Sequence, residues 1–430
     1  MRAALWLLAL FGIAAAVALF AGNNQGTITV FWPPWRVDLS LNLVLLGLVA
    51  LFVVLHLALR GLAALFSLPR QARQWRLQQK ERAVHASLLD ALAQLLAGRF
   101  SRAGKAAQAA LAQEHVLEGL DAGLPQALQV RTMAHLLGAE SAHALQDRAS
   151  RDAHMQHALN ESASAGAQLS PETREGVQLR AAHWALQDRD APTALARLKE
   201  LPHGAQRRTL ALRLRLKAAR MDRRTLEALE TARLLAKHRA FSPTAAHSII
   251  RGLATDLLSE AHDAGQLMRA WAELEAEERE MAEVAIHAAQ RQVLLRGDLA
   301  LARTWLLPVW ERMVADPRSL NDGLRVKLAR VLEAGLDSVD ADWLARIEAA
   351  QRNNPRDPNL QYLAGMACMK RQLWGKAQQL LTQAGLGLQD IGLHRQAWQA
   401  LARLAEERGD QETAAAAWKR AAGTDVSSQA

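Results

Sequence analysis

Two long apolar runs dominate the start of the chain, Ala3 to Ala21 and Leu39 to Leu59, with a polar and aromatic segment, Gly22 to Asp38, between them. A hydrocarbon core about 30 Å thick takes roughly 20 helical residues, and both runs are that long. Ionisable groups are absent from the first and limited to His56 in the second, near its far end. Backbone amides facing lipid must be bonded internally, so such runs are helices. The pattern predicts a two-helix transmembrane hairpin: residues 1–21, a short loop over 22–38, and 39–60. A cleaved signal peptide is disfavoured, because Leu19 stands where a cut after Ala21 wants a small side chain.

Within the loop, Thr27-Ile28-Thr29-Val30 alternates β-branched residues and Pro33-Pro34 reverses it, which suggests a short β-hairpin. Trp32 and Trp35 would then lie at the headgroup level as interfacial aromatics. The loop carries one cation, Arg36. The stretch after the second run carries Arg60, Arg70, Arg73, Arg76, Lys80 and Arg82. Positive flanks stay inside, so both termini and the bulk of the chain are expected in the cytoplasm and the loop outside, in a multi-pass membrane protein. Arg70, Arg73, Arg76 and Lys80 share one helix face, a membrane-surface contact for anionic lipid and a topology signal at once.

From about Val84 onward amphipathic helices follow one another, broken roughly every 15 to 20 residues at turns carrying Gly, Asp or Pro, such as Gly98-Arg99, Asp188-Arg189-Asp190, Asp263-Ala264-Gly265, Arg296-Gly297-Asp298 and Arg408-Gly409-Asp410. The clearest unit holds Trp398, Leu401, Ala402, Ala405, Gly409, Ala414, Trp418 and Ala421 at tetratricopeptide spacing. Gly365, Trp374, Ala377, Leu381 and Ala384 repeat part of that register one unit earlier. Small residues let paired helices approach, and stacked pairs bury what no pair buries alone. The expected fold is all-α: the membrane hairpin followed by a TPR-like α-solenoid. Residues 61–135 hold a basic juxtamembrane helix and the first repeats, 136–355 degenerate repeats, 356–422 a C-terminal pair, and 423–430 a frayed tail. Ser170-Pro171-Glu172 reads as a helix start after an Ala-, Ser- and Gln-rich stretch.

Composition agrees. Apolar residues make up 50% and aromatics 5% of 430 residues, which favours helix over sheet. Of the net charge of +9, +6 comes from residues 1–82, where eight cations face Asp38 and Glu81. The basic balance therefore describes the membrane junction and offers no nucleic-acid face. One cysteine, Cys368, excludes a disulfide framework and a multi-cysteine metal site.

No catalytic constellation stands out: there is no dinucleotide fingerprint, phosphate loop, nucleophile elbow or His-Glu-x-x-His. No metal site is expected, and the chain reads as a non-enzyme. His154 and His157 share a helix face and are the weak candidates for haem or porphyrin, with a solvated face as the plainer reading. Tryptophans at 184, 271, 305, 310, 343, 374, 398 and 418 read as packing between helix pairs, with an aromatic porphyrin groove as the alternative.

The hairpin, the segment Gly26 to Val30, the basic Arg73 to Arg82 with Trp75 inside it, and Leu92 to Phe100 before the first repeat together resemble the HemY family of proteobacterial inner-membrane proteins. The likeness places a HemY N-terminal domain at 26–135. It implies an anchored tetratricopeptide protein linked to late protohaem synthesis, with haem-pathway enzymes as partners and no resident cofactor. A direct haem- or porphyrin-binding protein and a general envelope-assembly tether are the alternatives. A flavin-dependent protoporphyrinogen oxidase bearing the same label lacks this hairpin and needs the dinucleotide fingerprint absent here.

Overall fold

The computed structural model describes residues 11–14, 16–18, 22, 26–119, 124, 126–164 and 169–423, without the side chains of 63–74. The chain divides into two compact units, Met1–Thr173 and Arg174–Ala430.

Residues 11–14, 16–18 and 22 are helical, and after them comes a β-hairpin, β1 (Thr27–Trp32) against β2 (Trp35–Ser40), closed by Pro33-Pro34 with a cis peptide bond. The register pairs Ile28 with Leu39, Val30 with Val37 and Trp32 with Trp35. Those six side chains share one face, since successive residues of a strand alternate sides. The other face holds Thr27 with Ser40, Thr29 with Asp38 and Phe31 with Arg36. There the Thr29 hydroxyl donates to Asp38 Oδ1 at 2.7 Å, and Arg36 lies 5.4 Å from the Phe31 ring centroid.

No linker separates β2 from the helix that follows it. Ser40 ends the strand and caps the helix, accepting from Leu43 N at 3.3 Å, and Leu41 N donates to Gly26 O at 2.8 Å. Helix α1 then runs unbroken from Leu41 to Leu96, 56 residues or about 84 Å. Its first part, Leu41–Leu62, is long and apolar enough to cross a membrane, and none of it is buried within the protein. The expected two-helix membrane hairpin reduces to this one span among the described residues. The first apolar run falls mostly on residues outside them, and so does most of the 423–430 tail.

From Leu77 onward α1 changes role. Leu77, Val84 and Leu88 pack with Leu117, Leu124 and Val130, and Ala91 packs with Ala107 and Leu137. The partners are α2 (Phe100–Glu118) and α3 (Ala127–Ala144). Ala103, Ala107 and Ala110 are fully buried on one stripe of α2, so neighbouring backbones come close. Helix α4 (Arg148–Ser164) packs on α3.

The second unit is built from α5 (Pro171–Gln187), α6 (Ala191–Lys199), α7 (His203–Gln206), α8 (Thr209–Met221), α9 (Thr225–Lys237) and α10 (Pro243–Ser259). There follow α11 (Ala264–Ala272), α12 (Ala276–Arg279), α13 (Ala282–Leu294), α14 (Leu299–Ala315), α15 (Asp322–Ala334) and α16 (Ala341–Asn353). The last four are α17 (Pro358–Lys370), α18 (Trp374–Gly387), α19 (Ile391–Glu407) and α20 (Gln411–Gly423). Ser170 accepts from Thr173 N at 3.3 Å to start α5.

One turn recurs through both units and gives the packing its repeat-like, solenoid-like character. Gly98, Gln146, Arg189, Arg223, Arg239, Arg296, Gln372 and Gly409 all have positive φ just past a helix end. In each case the next amide donates back to a carbonyl five residues earlier, as in Arg99 N to Gln94 O at 2.8 Å and Leu373 N to Cys368 O at 2.9 Å. This closing bond satisfies helix-end carbonyls and turns the chain back along its partner. Arg and Gln fill most of these left-handed positions although glycine suits them best.

The C-terminal pairs follow the small-residue register. Ala377, Leu381 and Ala384 on α18 are fully buried, and a Cβ at Gly365 of α17 would stand 2.8 Å from Leu381 Cγ. Trp398, Leu401, Ala402 and Ala405 of α19 and Ala414 and Ala421 of α20 are all buried. Trp418 is half-exposed, its Nε1 donating to Glu406 at 2.7 Å. Trp184, Trp305, Trp310 and Trp343 are buried, with Trp271 stacked on Trp305 at 4.7 Å between centroids.

Candidate functional site

The densest chemistry in the first unit lies between α3 and α4. His135 of α3 meets both histidines of α4: its Nδ1 is 3.0 Å from His154 Nδ1, and its ring stacks on His157 at 4.9 Å and 15°. His154 packs over Gly138, where an added Cβ would lie 3.1 Å from His154 Nε2. Gly138 is thus a close-approach position that lets an imidazole lie on the helix backbone.

Burial, then the neighbouring His154 and His157, then Arg131, push the His135 pKa down to about 4. Burial and His157 lower His154 as well. Desolvation disfavours the charged imidazole, and a second cation nearby adds to the cost. Both rings are therefore neutral at pH 7, one Nδ1–H donating to the other's lone pair.

One turn away along α3 sits a charged cluster. Arg131 grips buried Glu114 with two bonds, Nε to Oε2 at 3.1 Å and Nη2 to Oε1 at 2.7 Å, and reaches Glu118 at 3.2 Å. Glu161 of α4 is 3.7 Å from Arg131 Nε and accepts from the Thr132 hydroxyl at 3.2 Å. Burial raises the Glu161 carboxyl above its ordinary range. The Glu114 hydrogen bond, with the surrounding carboxylates, raises Arg131 further. This cluster ties α2, α3 and α4 together.

Among the described residues no three His, Cys, Asp or Glu side chains are arranged to hold an ion. Haem iron fits His154 poorly, since one ring nitrogen faces His135 and the other lies against Gly138. His157 is exposed on its outer side. His135 had no sequence signal: it lies 19 residues from its partner, at no ligand-like spacing.

The remaining expected contacts cluster around α1. Trp32 and Trp35 are 75% and 71% exposed at the hairpin tip. Arg76 and Lys80 are exposed one turn apart, whereas the side chains of Arg70 and Arg73 lie outside the described set.

Residues 26–146 match the family described as HemY protein N-terminus. The chain carries a HemY N-terminal domain. This domain takes in the β-hairpin, the whole of α1, α2 and α3, and it ends at Gln146, the left-handed turn residue before α4. It therefore includes His135 and the Arg131–Glu114 pair but stops short of His154 and His157. No curated protein matches the chain. Among solved structures, the crystal structure of the P58(IPK) TPR domain is 15% identical with a TM-score of 0.23, covering 76% of this chain and 99% of that one. The structure of Naa15/Naa10 bound to HypK-THB is 14% identical with a TM-score of 0.22, covering 75% of this chain and 56% of that one. At such low scores neither likeness bears on fold or function.

Proposed function

We propose that this chain is a non-enzymatic, membrane-anchored adaptor whose TPR-like helix pairs hold late haem-pathway enzymes beside the inner membrane. The observation that carries this reading is α1 itself. One helix begins as an apolar span at Leu41 and ends at Leu96, having put Leu88, Ala91 and Leu95 into the packed core of the first repeats. Span and repeats share a backbone, so whatever the repeats bind stays near the bilayer. The HemY N-terminal domain supports the haem-pathway part, and the run of stacked helix pairs supports docking of proteins. In this reading the repeats face the cytoplasm, and Arg70, Arg73, Arg76 and Lys80 meet anionic headgroups.

The test is affinity purification of the tagged full chain from membranes in mild detergent, with porphyrin profiles from a deletion strain. Recovery of haem-pathway enzymes together with an altered profile is the expected result. Recovery of envelope-assembly proteins alone, with normal porphyrins, would replace this reading by the general tether. Direct haem or porphyrin binding falls back on His157, and a Soret shift in the purified chain that disappears in His157→Ala would favour it.

A further inference from the structure

The β-hairpin is amphipathic, and most of its apolar side is uncovered among the described residues: Ile28 and Leu39 at the base are half-buried, the other four side chains exposed. Ile28, Val30, Trp32, Trp35, Val37 and Leu39 line one face without a polar interruption. Val30 and Val37 are 44% and 48% exposed, and the two tryptophans more so. The opposite face carries the Thr29–Asp38 bond and the 3.5 Å Arg36–Asp38 ion pair, with Phe31, 72% exposed, as its one apolar side chain, beside Arg36. An isolated two-stranded hairpin is marginal in water, so the apolar face calls for a cover.

We infer that this face lies flat on the bilayer, as a β-wing in the leaflet where the span begins. The cover is identified by continuity: Ser40 is both the last residue of β2 and the cap of the membrane-spanning helix. The hairpin base is therefore fixed at the edge of the hydrocarbon. Geometry then separates two poses. Each strand has six residues, which is about 20 Å at roughly 3.4 Å each. The headgroup region on one side is only about 5–7 Å deep. A hairpin standing upright would carry Trp32 and Trp35 well past the headgroups into water. Lying flat, it sets both indoles and all four aliphatic side chains in the interface, where amphipathic rings settle. Thr29, Arg36 and Asp38 then face water, and Phe31 lies beside Arg36 on that side. This deepens the expected interfacial role of the two tryptophans into a whole sheet face, and it rests on Leu41–Leu62 being the span.

The test uses the full chain with Cys368→Ala, reconstituted in phosphatidylethanolamine–phosphatidylglycerol vesicles. A nitroxide is attached at Val30→Cys or at its neighbour Thr29→Cys, with Val49→Cys inside the span as control. Electron paramagnetic resonance reads collision with oxygen, which concentrates in lipid, and with a neutral nickel chelate, which stays in water. Val30 is expected to be more oxygen-accessible and more nickel-shielded than Thr29, though less so than Val49 in the hydrocarbon. Nickel access at both hairpin positions, with Val49 shielded, would overturn the flat pose while leaving the span intact. Shielding of Val30 from both reagents would show a protein cover instead, a second copy if spin broadening fades on dilution with unlabelled chain. Nickel access at Val49 would remove the span itself and the inference with it. Val37→Cys and Asp38→Cys repeat the comparison on β2 should either β1 variant fail to fold.

Discussion

Gly365→Ala isolates the close helix approach on which the repeat packing depends. Glycine inside a helix costs about 1 kcal/mol against alanine, so the substitution alone should help. At this position, however, the new Cβ would stand 2.8 Å from Leu381 Cγ, 2.9 Å from Cδ2 and 3.3 Å from the Leu381 amide nitrogen. Comfortable carbon contacts begin near 3.5 Å, and overpacking of this kind costs about 1–3 kcal/mol. The net effect is a loss of about 0–2 kcal/mol. Gly252 of α10 supplies the control, since a Cβ there meets nothing within 4 Å and Gly252→Ala should gain about 1 kcal/mol. The two variants should therefore differ by about 1–3 kcal/mol, or roughly 5- to 150-fold in the exchange of the most protected amides. Hydrogen exchange with mass spectrometry on the full chain in detergent reads each helix against its own wild type. Faster exchange over 358–387 in Gly365→Ala and slower exchange over 243–259 in Gly252→Ala is the expected pair. Equal slowing at both sites would refute the close approach of α17 and α18.

Three further outcomes follow from the same geometry. Arg131→Met strands Glu114, which is 3% exposed, and should cost about 3–5 kcal/mol, with Glu114→Gln in the same chain restoring much of it; chemical denaturation followed by circular dichroism measures both, and a neutral single variant would contradict the buried pair. His135, ordinarily near 6.5 but held at about 4, binds a proton in the unfolded chain before it does in the fold; its penalty is absent above pH 6.5, grows as pH falls from there and is complete near 4, so His135→Gln should flatten the fall in melting temperature between pH 7 and 5, and an unchanged slope would count against the cluster. Gln372→Gly removes a left-handed side-chain conformation at φ 59° and should add about 1 kcal/mol to the α17–α18 pair, seen as slower exchange there.

The parts that were legible in the sequence are those with a local physical signature. Strand alternation up to Pro33-Pro34 announced the hairpin, apolar length announced the span, and small residues at Gly365, Ala377 and Ala402 announced close helix pairs. Turns were legible where glycine or aspartate marked them, as at Gly98 and Gly409. They were hidden where Arg223, Arg239 or Gln372 takes the left-handed position, because those residues have no turn preference of their own. At Arg296-Gly297 the sequence suggests glycine as the turn residue. The structure instead gives the positive φ to Arg296 and uses Gly297 for room, since a Cβ there would clash with Gln292. The meeting of His135 with His154 and His157, and of Arg131 with Glu114 and Glu161, joins separate helices and leaves no trace in spacing. The basic residues after the span read as a separate juxtamembrane helix, yet the same helix continues through them because nothing from Leu41 to Leu96 stops it; even Pro69 lies inside.

Anchoring of the repeats depends on that continuous helix, and one distance tests it most directly. With Cys368→Ala, nitroxides at Val49 and Leu89, both exposed, are separated by 40 residues of α1. An unbroken helix places them about 60 Å apart, and a kink of about 20° at Pro69 would shorten this by only about 1 Å. Double electron–electron resonance in vesicles should give one narrow distribution near that value. A broad or markedly shorter distribution would mean that span and repeats are joined by a flexible link, and that the anchor does not hold the repeats in place.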